Sequence, residues 1–241
     1  VTIGYSHSCG LLVNGSVACW GQDFFGQVGD GNDGNANELS PVLVSGSWSF
    51  SDISAGASHS CGLLTNESIV CWGNDGSGQI GNGAPSTTQY SPSLISSSQL
   101  FTQVTTGGSH SCGLLVNGSL LCWGDNSYGQ LGDNNPPTDR QSPVQVLSSW
   151  SFSQITGGYF HSCRLLVNGS VACWGYDSSG ELGDGSPASD KYVPVLVNST
   201  YRFGHGQSPS GSYVLSSTLP SSLTSVGDNW TFSCMVYDTY E

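Results

Sequence analysis

Apolar residues fall in short runs of strand-like pattern, broken at regular places by Gly, Ser and Asn. Cys9-Gly10-Leu11-Leu12-Val13-Asn14-Gly15-Ser16-Val17-Ala18-Cys19 reads as a strand, a turn and a strand. An x-Asn-Gly turn suits a three-residue hairpin loop with Gly15 in the left-handed region, forming a G1 bulge. That loop pairs Leu12 with Ser16 and sets Cys9 opposite Cys19. Facing Cα atoms in an antiparallel pair lie about 4.5–5.5 Å apart, a span a disulfide accepts.

The run recurs. His-Ser-Cys appears at His7, His59, His110 and His161, and Cys-Trp-Gly at Cys19, Cys71, Cys122 and Cys173. A Gly-Gln/Glu-x-Gly turn follows at Gly26, Gly78, Gly129 and Gly180, then a proline at Pro41, Pro92, Pro143 and Pro194. A phenylalanine recurs at Phe50, Phe101, Phe152 and Phe203. This period predicts four units, about 1–49, 50–100, 101–151 and 152–203, in an all-β repeat domain over 1–203. Two further strands per unit are expected, around Pro41–Val44 and Phe50–Ser54 in the first copy. The second unit has Glu67 where the others have Gly, so its turn is expected to differ.

The ten-residue spacing pairs Cys9 with Cys19, Cys61 with Cys71, Cys112 with Cys122 and Cys163 with Cys173. Four such staples imply an oxidising compartment. Zinc is the rival reading, but the chain has no Cys-x-x-Cys. Cys234 is the ninth cysteine: either a link to another chain or a buried free thiol. Asn-x-Ser/Thr occurs at Asn14, Asn66, Asn117, Asn168, Asn198 and Asn229, four of them at the same hairpin tip. N-glycosylation and plain turn chemistry both account for those four.

His-Ser-Cys-Gly-Leu-Leu-x-Asn-Gly-Ser-x-x-Cys-Trp-Gly-x-(Asp/Asn)-x-x-Gly-Gln-Leu-Gly-Asp resembles the regulator of chromosome condensation repeat, over roughly residues 1–203. The resemblance implies that each unit is a four-stranded blade of a β-propeller, with the paired cysteines similar to those of extracellular members. It also implies histidines that hydrogen-bond within their own blades. The family's usual propeller has seven blades. Four units point instead to a small closed ring, an open arc completed by a neighbour, or a helical stack. The founding member acts in the nucleus on a small GTPase and chromatin, and this chain is not expected to share that activity.

After the repeats, Tyr201-Arg202-Phe203 begins a fifth unit that breaks off, 204–212 reads as a linker, and 213–241 carries strand-like patterns. That last segment is expected to be a β arm or a truncated immunoglobulin-like module.

Charge narrows the partners. Only 9% of residues are charged, against roughly 25% in an average domain. The net charge of −13 disfavours nucleic acid and anionic membranes. No stretch approaches the roughly 20 apolar residues of a membrane helix. No secretory leader opens the sequence, so a secreted chain must begin after processing or at a fragment boundary.

No residue set for catalysis stands out, and the chain is expected not to be an enzyme, with no catalytic residues, metal ligands or cofactor. His7, His59, His110 and His161 could meet as metal ligands only in a closed ring, and His-Ser pairs only mimic half a nucleophilic triad. Asp30, Asp133 and Asp184, with Asn82 in unit two, are expected to cap turns, with calcium a weak alternative. Trp20, Trp72, Trp123 and Trp174 are expected between blades, whereas Trp48 and Trp150 are candidates for exposed contact. The leading expectation is a secreted structural glycoprotein that assembles with its own copies into a filament or surface layer. The alternative is a secreted protein- or glycan-binding module.

Overall fold

The computed structural model describes residues 1–199, apart from 33, 35, 85 and 86. The described residues are β throughout, in one compact unit over Val1–Asn198. The linker, the C-terminal arm, Asn229 and Cys234 lie outside the described residues.

Four four-stranded antiparallel sheets follow one another along the chain. Blade 1 holds β1 (Thr2–Ile3), β2 (His7–Leu11), β3 (Val17–Gly21) and β4 (Glu38–Leu43). Blade 2 holds β5 (Phe50–Ala55), β6 (His59–Leu64), β7 (Ile69–Gly73) and β8 (Gln89–Leu94). Blade 3 holds β9 (Phe101–Thr106), β10 (His110–Leu115), β11 (Leu120–Gly124) and β12 (Arg140–Gln145). Blade 4 holds β13 (Phe152–Gly157), β14 (His161–Leu166), β15 (Val171–Gly175) and β16 (Lys191–Leu196). Each sheet is a plain meander in chain order, as a propeller blade requires.

The hairpin geometry follows from its turn. Leu12 N–H donates to Ser16 O at 2.8 Å, Gly15 N–H donates to Leu12 O at 2.9 Å, and Gly15 has φ 82°. The register that results faces Cys9 with Cys19, and the same pairing recurs in each blade. All four disulfides form, with Cα separations of 4.0–4.1 Å. The turn of blade 2 does not differ, contrary to expectation. Glu67 takes φ 67°, and its N–H donates to Leu64 O at 2.9 Å, as Gly15 does to Leu12. The flanking hydrogen bonds and the disulfide below outweigh the cost of a Cβ in the left-handed region, about 1–2 kcal/mol.

The core lies between blades rather than within them. One cluster joins Cys9, Val17, Cys19, Val28 and Val44 of blade 1 to Phe50, Leu64, Val70 and Trp72 of blade 2. Equivalent clusters join blades 2 and 3 and blades 3 and 4. Trp72, Trp123 and Trp174 are fully buried there, each worth on the order of 5 kcal/mol of transfer free energy before ordering costs. The first strands sit side by side on the inner edge, where Ser54 and Thr106 hydroxyls hydrogen-bond across blades at 2.8 Å.

Among the described residues the array is an open arc, since blade 1 receives no blade on its outer side. Trp20 is only half-buried, whereas its three counterparts are covered. At the other end, a Cβ added to Gly180 would meet nothing, whereas Cβ atoms at Gly26, Gly78 and Gly129 would strike Tyr90, Arg140 and Tyr192 of the following blade.

Candidate functional site

Adjacent strand residues point to opposite faces, and this governs what each His-Ser pair does. His7 reaches forward: its Nε2 lies 2.8 Å from Ser60 Oγ of blade 2. Ser60 Oγ in turn donates to the backbone oxygen of Gln27, in blade 1, at 3.0 Å. The same oxygen accepts Trp72 Nε1–H at 3.0 Å. The Ser60 proton is committed to a carbonyl, so His7 Nε2 carries a hydrogen and donates, and Nδ1 is the bare ring nitrogen. Consistent with that tautomer, Nδ1 of His7, His59 and His110 is buried without a donor among the described residues. The chain His59–Ser111–Gln79–Trp123 repeats the network at 2.9, 3.0 and 2.9 Å. His110–Ser162–Gln130–Trp174 repeats it at 2.9, 2.9 and 2.8 Å.

These histidines therefore lock neighbouring blades together and do not bond within their own blade. The expectation drawn from the resemblance is corrected on this point, because strand alternation aims the ring at the next sheet. In all three networks a serine whose proton is already held by a carbonyl cannot pass it to a histidine that is itself donating. Burial drives the ring pKa values down, to about 4 for His7, about 3 for His59 and about 4 for His110, so all three are neutral at pH 7. A glycine three residues before each of these histidines makes room for the ring: a Cβ at Gly4 or Gly56 would sit 2.5 Å from His7 or His59 Cε1.

The Gln of the Gly-Gln-x-Gly turn is a joint that sequence reasoning missed. Gln27, Gln79 and Gln130 each supply the shared backbone oxygen, and their Oε1 atoms accept the N–H two residues earlier at 2.8–2.9 Å. In blade 4 Glu181 makes the side-chain bond, to Ser179 N–H at 2.8 Å. The turn's recurrence at each period was the available signal.

Other candidate residues fall as follows. Asp30, Asn82, Asp133 and Asp184 accept the N–H two residues on, at 2.9–3.1 Å, which is turn capping. Arg140 and Lys191 pair with Asp133 and Asp184 at 2.6 and 3.4 Å. No group of three or more His, Cys, Asp or Glu among the described residues is arranged to hold a metal ion. Trp48 and Trp150 are not free surface residues: each is half-buried against an inter-blade cluster. Asn14, Asn66, Asn117 and Asn168 are exposed, each with Oδ1 accepting the serine N–H two residues on at 2.9–3.1 Å; Asn198 is also exposed.

Meander topology gives the array two unlike ends. Hairpin tips 12–16, 65–68, 116–119 and 167–170 share one end, with the four sequon asparagines. The turns before the second strands and the long loops 22–37, 74–88, 125–139 and 176–190 share the other. Every described acidic residue except Asp52 and Glu67 lies in those long loops or at Glu38, which opens β4. Burial raises the Asp23 carboxyl there to about 6.

At the blade 3–4 end of this acidic face four rings meet edge to face: Tyr128, Tyr159, Phe160 and Tyr176, with centroids 4.5–6.0 Å apart. Below, Arg164 is buried where Gly10, Gly62 and Gly113 stand in the other blades. Its guanidinium lies over the Phe152 ring and 5.2 Å from that of Trp174, and Nε and Nη1 have no acceptor among the described residues. Burial pushes it down to about 8.

Two family models described as regulator of chromosome condensation (RCC1) repeat match the chain, one over residues 14–63, 68–114 and 117–165 and the other over 50–79, 101–130 and 152–181. The chain belongs to the RCC1 repeat family. The fold agrees: human WBSCR16 superposes with TM-score 0.74 at 24% identity, covering 82% of this chain and 52% of that one. Prp20p from Saccharomyces cerevisiae superposes with TM-score 0.70 at 20% identity, covering 82% and 49%. Among curated RCC1-repeat relatives, human probable E3 ubiquitin-protein ligase HERC6 is 29% identical, over 98% of this chain and 25% of its own length. Mouse probable E3 ubiquitin-protein ligase HERC4 is 33% identical, over 87% and 20%. The chain thus spans a fifth to a quarter of those relatives.

These relatives correct the expectation that the chain is not an enzyme. RCC1 repeats like these occur in polypeptides named as ligases, and the absence of a catalytic set in four blades does not speak for the polypeptide that carries them.

Proposed function

We propose that the chain is a recognition module of an oxidising, extracellular setting, which binds a protein partner with the acidic loop end of its blades. The observation that carries this reading is the segregation of the two ends. Acids and exposed aromatics gather on the loop face, and the four hairpin-tip sequons gather on the opposite face, where glycans would leave the loops clear. Four disulfides support the oxidising setting. Protein recognition is also a use of this fold elsewhere: Prp20p was solved alongside its binding properties to Gsp1p and histones. The test is to select peptides from a random displayed library against the oxidised full chain, then measure amide hydrogen exchange with and without the best binder. Protection is expected in loops 22–37, 74–88, 125–139 or 176–190. Protection confined to the hairpin tips, or no binder at all, overturns the reading.

A second reading, self-assembly, is favoured by the half-buried Trp20 and the open space at Gly180. The blade 1 side of one copy would dock on the blade 4 side of another, and the ninth cysteine, Cys234, is the candidate for a covalent link. Light scattering of the non-reduced chain decides it: a mass that rises with concentration, and stops rising in Trp20→Ala, supports assembly. A constant monomer mass sinks it.

A further inference from the structure

We infer that the four-ring group Tyr128, Tyr159, Phe160 and Tyr176 is a docking site for an arginine-bearing segment of a basic protein partner. The inference rests on the recognition reading above and names the partner chemistry of the same face.

Three of the four rings have no aromatic counterpart in blades 2 and 3. Blades 2 and 3 build the same turns with Ala57 and Gly108 at the Tyr159 position, Ser58 and Ser109 at the Phe160 position, and Asn74 and Asp125 at the Tyr176 position. Relative to blades 2 and 3, blade 4 replaces small or polar residues with three aromatic ones, of which blade 1 shares only the first, as Tyr5, and the three gather with Tyr128 from the loop of blade 3. None of the four is fully buried, and Tyr159 is 52% exposed. One exposed and three half-buried aromatics gathered on one spot, rather than scattered singly, mark a contact surface.

The electrostatic setting selects the occupant. Loops 125–139 and 176–190 carry Asp125, Asp139, Asp177, Glu181 and Asp190 beyond the two acids already paired with Arg140 and Lys191. Asp177, next in the chain to Tyr176, is buried, and its Oδ2 has no donor among the described residues. In blade 3 the same position is Asn126, whose Nδ2 donates to Asp133 Oδ1 and Asn135 O at 3.0 and 3.2 Å. Blades 1 and 2 hold Asp23 and Asp75 here, and like theirs the Asp177 Oδ1 caps its turn, accepting Leu182 N–H at 2.9 Å, so that blade 3 is the exception and Asp177 keeps one carboxylate oxygen without a donor among the described residues. A guanidinium brings donors and positive charge to this acid-rich loop end, and its flat face stacks on aromatic rings while its edge donates to carboxylates.

The probe is a synthetic peptide alternating Arg and Gly, measured by titration calorimetry against the oxidised full chain. Its twin carries citrulline, the neutral isostere, in place of each Arg. The Arg peptide is expected to bind at least tenfold more tightly than the citrulline peptide. Its affinity is expected to fall at least tenfold in Tyr159→Ala/Phe160→Ser/Tyr176→Asn, which uses residue types the other blades already hold. Equal binding of the two peptides overturns the inference, and that comparison needs no variant to fold. So does undiminished Arg-peptide binding by a triple variant that keeps its thermal midpoint, or binding of a neutral oligosaccharide with none of the Arg peptide. If selected binders protect the loop end while the Arg peptide does not bind, the inference fails and the recognition reading stands. If the loop end is never protected, the reading itself fails.

Discussion

Arg164 is a residue at odds with its place. Leaving buried donors without acceptors costs at least roughly 1–3 kcal/mol, and more for a charged group, and the other blades show that glycine fits the position. Arg164→Gly is therefore expected to stabilise the protein by about that amount, read as a higher urea midpoint at unchanged m. The histidines set a pH dependence. Their ordinary pKa is 6.5, and burial holds the folded values near 3–4, so the unfolded chain takes up protons first as pH falls. Stability from these groups is complete above pH 6.5 and declines toward pH 4. Asp23 opposes them, because its raised pKa of about 6 lets the folded state bind a proton between pH 6 and 3.8, and Asp75 is raised in the same direction. Three deeply buried rings outweigh these carboxyls, so the thermal midpoint of the oxidised protein is expected to fall between pH 7.5 and 4.5. Asp23→Asn, which removes an opposing group, is expected to fall more steeply.

At the scale of strands and blades, what could be read from the sequence was what lies close along the chain. The spacing of Cys9, Asn14-Gly15 and Cys19 determines a hairpin register, and a register determines a disulfide. The joints between blades were harder, because His7 and Ser60 are a whole repeat apart and look like neighbours only of Ser8 and Cys61. Period and strand alternation together contained the answer: a His aimed one way and a Ser aimed the other can meet only across a junction. The aromatic group was invisible for a different reason, since Tyr128, Phe160 and Tyr176 come from three loops of two blades. The junction account predicts an asymmetry between identical substitutions. Ser111→Ala strands the donor of His59 and is expected to cost about 1–3 kcal/mol in chemical denaturation. Ser8→Ala, on the outer side of blade 1, is expected to change stability by less than about 0.5 kcal/mol.

For the molecule as a whole, stability resides in the junctions, so each blade is only as firm as the neighbours it touches. Blade 1 has one described neighbour and a half-covered Trp20. Amides of β2 and β3 are expected to exchange faster than those of β6, β7, β10 and β11, while equal protection would mean that something else covers the outer side of blade 1. The two ends of the array also differ, with sequons on one and acids and rings on the other, so the proposed binding face can change without disturbing the disulfides. The forward His and backward Ser and Trp give the series a reading direction. Every joint uses the same grammar, and any unit can follow any other. Duplicating, deleting or shuffling whole units then requires no new interface to evolve, and the length of such an array becomes a matter of copy number.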